Sequence, residues 1–181
     1  AFYGPKIDFH IKDCLKRSWQ CATIQLDFAM PEKFDLEYTG ADGNRHRPVV
    51  IHRVIYGSIE RFLGILIEHF AGAFPLWLAP VQAVVVPVAS AFDTYAKWVR
   101  DRLFEAGLRA EVDDSTETMK YKIRGAQTRQ VPYMLVVGER EQSSKTVAIR
   151  RRRKEDAGAA SVDDLIAQLK QEVASRALDP Q

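Results

Sequence analysis

Two cysteines in 181 residues are too few for a disulfide framework, and Cys14 and Cys21 lack the spacing of a zinc ribbon. Both suit a reducing, cytoplasmic compartment as core thiols. A long hydrophobic run is also missing. The most apolar stretch, Ile65 to Val88, is interrupted by Glu68, His69, Gly72, Pro75, Pro80 and Gln82, so no segment of about 18 apolar residues is available to cross a bilayer as a helix. The opening "AFYGPKIDFHI" has neither a basic leader nor an apolar signal core. It alternates like a strand and begins at Ala1, from which we expect a piece of a longer protein. Four histidines are scattered without a second and third ligand at metal spacing. His52, alone in an alternating strand, is by itself more readily a packed imidazole than a metal ligand.

An overall excess of charge is lacking too, but the net +2 is unevenly spread. Residues 1–82 hold nine basic and nine acidic side chains, whereas Lys120 to Lys154 holds eleven basic and two acidic. The flanks of that window are acidic, with four basic against seven acidic in 83–119 and two against six in 155–181. A basic face on a balanced domain suits a polyanion such as nucleic acid, and a merely solvated charged surface is the alternative.

Patterning divides the chain at "FPLWLAPVQ" (Phe74 to Gln82), giving domains of 1–79 and 80–181. In the first, "YGPKIDFHI" and "ATIQLDFAM" read as strands. "EYTGADGNRHRPVVIHRV" reads as a hairpin around Gly40 to Gly43, and a helix follows Gly57 with Ile59, Phe62, Leu63, Leu66 and Phe70 on one stripe. The second reads βαβαββα. Strands are expected at "AVVVPV", "LRAEV", "YMLVV" and "TVAIRR", and helices at Ser90 (capping box with Asp93), over Lys120 to Thr128, and from Ser161 with Asp164. The stripe of that last helix is Val162, Leu165, Ile166, Leu169 and Val173. A mixed sheet covered by helices follows.

One position is electrostatically odd. Arg61 in "GSIER" falls off the apolar stripe and sits in a first helical turn, where the helix dipole disfavours a cation. A helix N-terminus and a guanidinium together make an anion site. Alone, the pentapeptide more readily describes a surface arginine on an ordinary core helix.

"GSIERFLGIL", preceded by "VIHR", "AFYGPKIDF" and "WQCATIQLDF", resembles the end of the catalytic domain of the threonyl-tRNA synthetase family, a class II aminoacyl-tRNA synthetase family. "GAQTRQVPYMLVVGERE" and "VAIRRRR" resemble its anticodon-binding domain, in the same order. The resemblance implies the end of an antiparallel class II sheet with the motif-three helix, then an α/β anticodon-binding domain. It also implies a ligase that activates threonine with ATP and magnesium and passes it to tRNA(Thr), and a homodimer when full length. Arg61 resembles the motif-three arginine that holds ATP phosphate, with Ser58 and Gln20 beside the nucleotide. Tyr3 and Lys6 resemble residues of the amino-acid pocket. His52 resembles one of three zinc ligands, the others lying upstream of Ala1. The resemblance implies that zinc selects threonine over valine by engaging its amino and hydroxyl groups.

In the second domain Arg150 and Glu141 resemble readers of anticodon bases, with Arg124 in the matching helix. Phosphate attraction is the simpler role for Arg151 to Lys154. The chain departs from the family pattern at Ala22, usually glycine, at Thr116-Glu117-Thr118, at Gly125, and at Gln130, often arginine. Lacking motif one, the core of motif two and two zinc ligands, this polypeptide is expected to bind tRNA with salt-sensitive affinity and to make no adenylate. The rival readings are a non-catalytic RNA-binding protein that keeps the anticodon-binding fold and a paralogue acting on another amino acid.

Overall fold

A computed structural model describes residues 2–152 and 158–178, and the chain separates into two compact units, Ala1–Phe70 and Ala71–Gln181.

In the first unit β1 (Lys6–Lys12), β2 (Ser18–Asp27) and β5 (Val50–Val54) form an antiparallel sheet in the order β1-β2-β5. Between β2 and β5 lie the short helix α1 (Ala29–Lys33) and a small hairpin of β3 (Tyr38–Thr39) and β4 (Arg45–His46). Helix α2 (Ile59–Phe70) closes the unit. The β1–β2 turn is organised by Asp13, whose Oδ1 accepts the backbone N–H groups of Leu15 and Arg17, both at 2.9 Å. Its Oδ2 accepts from Trp19 Nε1 at 2.8 Å and from Arg17 Nε. Aspartate suits this place because its short carboxylate reaches backbone donors a few residues on.

The second unit carries a five-stranded mixed sheet in the order β10-β9-β8-β6-β7: β6 (Ala83–Pro87), β7 (Ala110–Val112), β8 (Tyr133–Val137), β9 (Thr146–Arg151) and β10 (Ala159–Ser161). β7, β6 and β8 run parallel, and β9 and β10 are antiparallel additions. Parallel strands covered on both faces read as unbroken apolar runs, and every residue of β6 and β8 is buried. On one face Val85, Leu135, Val137 and Ile149 pack with Tyr95, Ala96, Val99 and Leu103 of α3 (Asp93–Glu105). Leu165 and Leu169 of α6 (Val162–Ser175) join that cluster. On the other, Val84, Val86, Met134 and Val136 pack with Ile123 and Ala126 of α4 (Met119–Thr128). A further short helix, α5 (Glu139–Ser144), joins β8 to β9.

Residues 71–82, which include the stretch Phe74 to Gln82 where the patterning changes, belong to this second unit. Buried Gln82 donates to the Leu76 carbonyl at 2.8 Å and accepts from the Arg109 backbone N–H at 2.8 Å, while the Arg109 side chain holds the Ala79 and Trp77 carbonyls.

The last helix begins as expected, with Ser161 accepting the Asp164 N–H at 3.1 Å. Two details differ. Ser90 caps no α-helix: Ser90–Phe92 form a 3-10 turn, and α3 starts only at Asp93 without a side-chain cap. In α2 the stripe is amphipathic but stands open, with Ile59 and Leu63 exposed and only Ile65 buried. Three strands and one helix cannot cover both sides of their own apolar surface.

Candidate functional site

In the first unit the register gathers polar side chains on one sheet face. Lys6 pairs with Gln25, and Gln25 with His52, so the three form a row across the sheet; Asp8, Thr23 and Val54 form the next row. Strict alternation along β2 would turn Gln20 to the opposite face. The register slips between Phe9 and His10, pairing Phe9 with Ala22 but His10 with Gln20, and this bulge carries Gln20 onto the polar face. There Gln20 Nε2 donates to Asp8 Oδ1 at 2.6 Å and to Thr23 Oγ1 at 3.0 Å, and the Thr23 hydroxyl donates to Asp8 Oδ1 at 2.7 Å. Lys6 Nζ lies 3.1 Å from Asp8 Oδ2. The Thr23 hydroxyl, aided by Lys6, holds the Asp8 carboxyl below the usual aspartate range despite some desolvation.

Arg61 is exposed but tethered. Its Nη2 donates 2.7 Å to the Gln20 carbonyl, and the guanidinium lies 6.0 Å from the Trp19 ring centre. Its remaining N–H groups meet no acceptor among the described residues. Gly57, at φ +69°, makes room: a Cβ there would stand 2.8 Å from Arg61 Nη2 and 3.3 Å from the Cys21 carbonyl. Ser58 heads α2, its Oγ accepting the Arg61 backbone N–H at 3.3 Å and donating to Glu60 at 2.7 Å. Tyr3 precedes β1, partly exposed, its ring 4.2 Å from that of Phe2 and its carbonyl accepting from the Phe28 N–H.

His52 is half-exposed, and its Nε2 lies 2.9 Å from Oδ2 of buried Asp27. The Met30 N–H and His52, with the Ala29 N–H, hold the Asp27 carboxyl low against the opposing effect of burial. Among the described residues no group of three or more His, Cys, Asp or Glu side chains could hold a metal. His52 nevertheless fits the role of one ligand, because only its Nε2 is engaged and the imidazole is accessible.

Two members of this face were not singled out by sequence reasoning. Asp27 was hidden because its partner lies 25 residues away. Gln25, between Lys6 and His52, has a buried Nε2 that meets no acceptor; the alternating polar positions of β2 were the available signal.

In the second unit Arg150 pairs with Met134 in the β8–β9 register, which puts it on the sheet face that α4 partly covers. It is partly buried and Arg124, on α4, is exposed. Glu141 is committed in part, one carboxylate oxygen accepting the Gly138 N–H at 3.0 Å ahead of α5. Several basic residues of the Lys120–Lys154 window are structural. Lys122 is buried with Nζ on the Asp113 carbonyl, Arg129 pairs with Glu111, and Arg152 holds the carbonyls of Phe74 and Gln130. Arg151 lies over the Tyr133 ring at 5.3 Å. Arg153 and Lys154 lie outside the described residues. The cationic face is therefore smaller than the charge count implies. No helix among the described residues is long and apolar enough to cross a membrane.

Comparison with known proteins agrees with both halves. The family model described as tRNA synthetase class II core domain (G, H, P, S and T) matches residues 1–70, and the one described as anticodon binding domain matches residues 82–172. The chain is 57% identical over 178 residues to the threonine–tRNA ligase of Caldanaerobacter subterraneus subsp. tengcongensis, covering 98% of this chain and 28% of that protein. To the ligase of Clostridium tetani it is 56% identical over 179 residues, covering 99% and 28%. The chain thus spans a little over a quarter of the length of these curated relatives. The crystal structure of the RNA binding domain of threonyl-tRNA synthetase from Cryptosporidium parvum Iowa II superposes with a TM-score of 0.86 at 42% identity, covering 95% of this chain and 44% of that one.

Proposed function

The chain belongs to the threonyl-tRNA synthetase family, as the end of a class II core followed by an anticodon-binding domain, and we propose that it serves as the C-terminal portion of a threonine–tRNA ligase. The whole enzyme joins threonine to ATP as threonyl-adenylate and transfers the acyl group to tRNA(Thr) in the cytoplasm. The observation that carries this reading is the polar face on β1, β2 and β5, where Lys6, Gln20 and His52 converge while Arg61 reaches the same strand from α2.

The resemblance gives each residue a role, and the geometry around Arg61, Lys6, Gln20 and His52 supports theirs. Arg61, fixed at Nη2 by the Gln20 carbonyl, keeps its other donors for ATP phosphate oxygens. Charge grows there as the threonine carboxylate attacks the α-phosphorus and pyrophosphate leaves. Ser58 and Gln20 flank the nucleotide, and magnesium accompanies it as part of the substrate. Tyr3, Lys6 and Gln25 line the amino-acid pocket; Lys6 is held in place by Asp8. His52 contributes one ligand to zinc, with two more from outside this chain. When bound, the metal supplies a Lewis-acidic centre with an open position that favours a hydroxylated amino acid. The reaction needs no covalent nucleophile, and neither cysteine is assigned that role: Cys21 is buried as expected of a core thiol, whereas Cys14, expected in the core, is exposed. In the second unit Arg150 and Glu141 read anticodon bases and Arg124 holds phosphate, as befits single-stranded loop RNA with splayed bases.

The test is made in the full-length ligase. Arg61→Ala lowers the rate of threonine-dependent ATP–pyrophosphate exchange by roughly 10²- to 10³-fold, the cost of removing one preorganised electrostatic contact. Binding of tRNA(Thr) stays unchanged. Unaltered exchange in that variant would exclude the assignment of Arg61.

A further inference from the structure

We propose that Asp27 is a positioning residue for His52, fixing the imidazole as its Nε2–H tautomer and so reserving Nδ1 as the metal-ligating atom. This rests on the reading of His52 as a zinc ligand.

The assignment comes from counting donors around one buried carboxylate. Asp27 is 4% exposed. Its Oδ1 faces the backbone N–H groups of Ala29, at 3.0 Å, and Met30, at 2.9 Å, which can only donate. Its Oδ2 faces His52 Nε2 at 2.9 Å. With Oδ1 occupied by two amide donors, Oδ2 and Nε2 share one proton. At neutral pH an imidazole is a stronger base than an aspartate carboxylate, so that proton belongs to the ring and Oδ2 accepts it. A neutral ring with its proton on Nε2 carries its lone pair on Nδ1, which has no partner among the described residues.

The strands make the arrangement rigid. Asp27 pairs with Val50 and His52 with Gln25, so the two side chains are diagonal neighbours on one sheet face. The carboxylate cannot swing away without releasing the first turn of α1. A carboxylate that holds one ring nitrogen while the other binds metal is a general way to orient a ligand and raise its basicity. Here it links the α1 turn to the ligand.

The wild-type tautomer is read without any substitution, from long-range ¹H–¹⁵N correlations of the His52 ring in the metal-free chain. An Nε2–H pattern is expected; an Nδ1–H pattern would overturn the proposal. Asp27→Asn then reverses the donor count. Its amide oxygen stays on the Ala29 and Met30 N–H groups, its NH₂ turns to Nε2, and the ring proton moves to Nδ1. Zinc in the full-length ligase should be bound about 10- to 100-fold more weakly, measured by competition with a chelator. Wild-type zinc retention and tautomer in this variant would sink the idea. His52→Ala serves as the reference. If it loses zinc while Asp27→Asn retains it, the ligand reading survives and the positioning role is refuted. If His52→Ala keeps its zinc, both are refuted.

Discussion

The two units differ most in what they bury. Among the described residues only Cys21, Pro31 and Ile65 represent the first unit among the buried apolar side chains, whereas the second buries both faces of its central strands. Ile7, Phe9, Ile51, Ile59 and Leu63 all stand exposed in the first. Polar order is distributed the opposite way. The first unit invests in hydrogen-bonded clusters around Asp13, Asp8 and Asp27, and the candidate site residues Lys6, Gln20 and His52 are held by the last two. The second is a scaffold held by its core, with its candidate RNA contacts added on the surface. A site can thus be laid out geometrically by strand register and buried carboxylates in a unit whose own apolar packing is thin.

The comparison breaks most visibly under core truncation. Leu135→Ala, at a fully buried position in β8, should cost about 2–5 kcal/mol in urea unfolding of the second unit. Ile51→Ala, whose side chain is mostly exposed, should stay within about 0.5 kcal/mol in the same chain. Equal effects would mean that the two units do not differ in this way.

This asymmetry also governs what could be read in advance. The buried runs "AVVVP" and "YMLVV" and the α6 stripe announce themselves by periodicity, because a two-sided core writes its demands into consecutive residues. The likeness to a known family is what nominates His52 and Arg150 as candidates, which spacing alone left as an ordinary imidazole and one cation of a basic window, whereas Arg61 was marked already by its place in a first helical turn. What neither supplied depends on pairs distant in sequence. The bulge that turns Gln20 has no glycine or proline to mark it, and Asp27 meets His52 only through register. The use of Lys122 and Arg152 as internal props is likewise invisible in a charge count, since a buried lysine and an exposed one carry the same letter.

The next sharpening concerns Gly57. An alanine there is strained at φ +69° and its methyl would stand 2.8 Å from Arg61 Nη2, displacing the guanidinium from the Gln20 carbonyl. Misplacing a catalytic group by about 1 Å can cost roughly 10²-fold. Gly57→Ala in the full-length ligase should lose about that much pyrophosphate exchange. Urea unfolding of the second unit should not change. An active Gly57→Ala enzyme would show that the contact between Arg61 and β2 is dispensable.

In the second unit the corresponding polar test is Tyr133. Its hydroxyl donates 2.6 Å to Glu172, and burial, reinforced by that carboxylate, pushes its pKa far above the usual phenol range. Tyr133→Phe leaves a glutamate oxygen without its donor, at a cost of about 1–3 kcal/mol in thermal or urea unfolding. The effect should be smaller than that of Leu135→Ala, because the ring still fills its place.

At neutral pH the smallest effect separates the units by sign. Burial alone would raise the Asp13 carboxyl, but hydrogen bonds from Trp19 and Arg17 outweigh it and hold the group at about 2. Since the folded value lies below the unfolded one, near 3.9, the contribution of Asp13 is complete above about pH 4 and is lost as pH falls toward 2. Tyr133 has the reverse linkage. Its folded value is raised, so its contribution is complete below the unfolded value near 10 and is lost only as pH climbs beyond it. The Trp19 indole N–H resonance should therefore shift in acid with a midpoint near pH 2, while amide protection of β8 persists there and weakens first in alkali. Asp13→Asn should abolish the acid step of Trp19, because the titrating acceptor is gone. If Trp19 keeps the same acid step in that variant, the turn is not governed by Asp13.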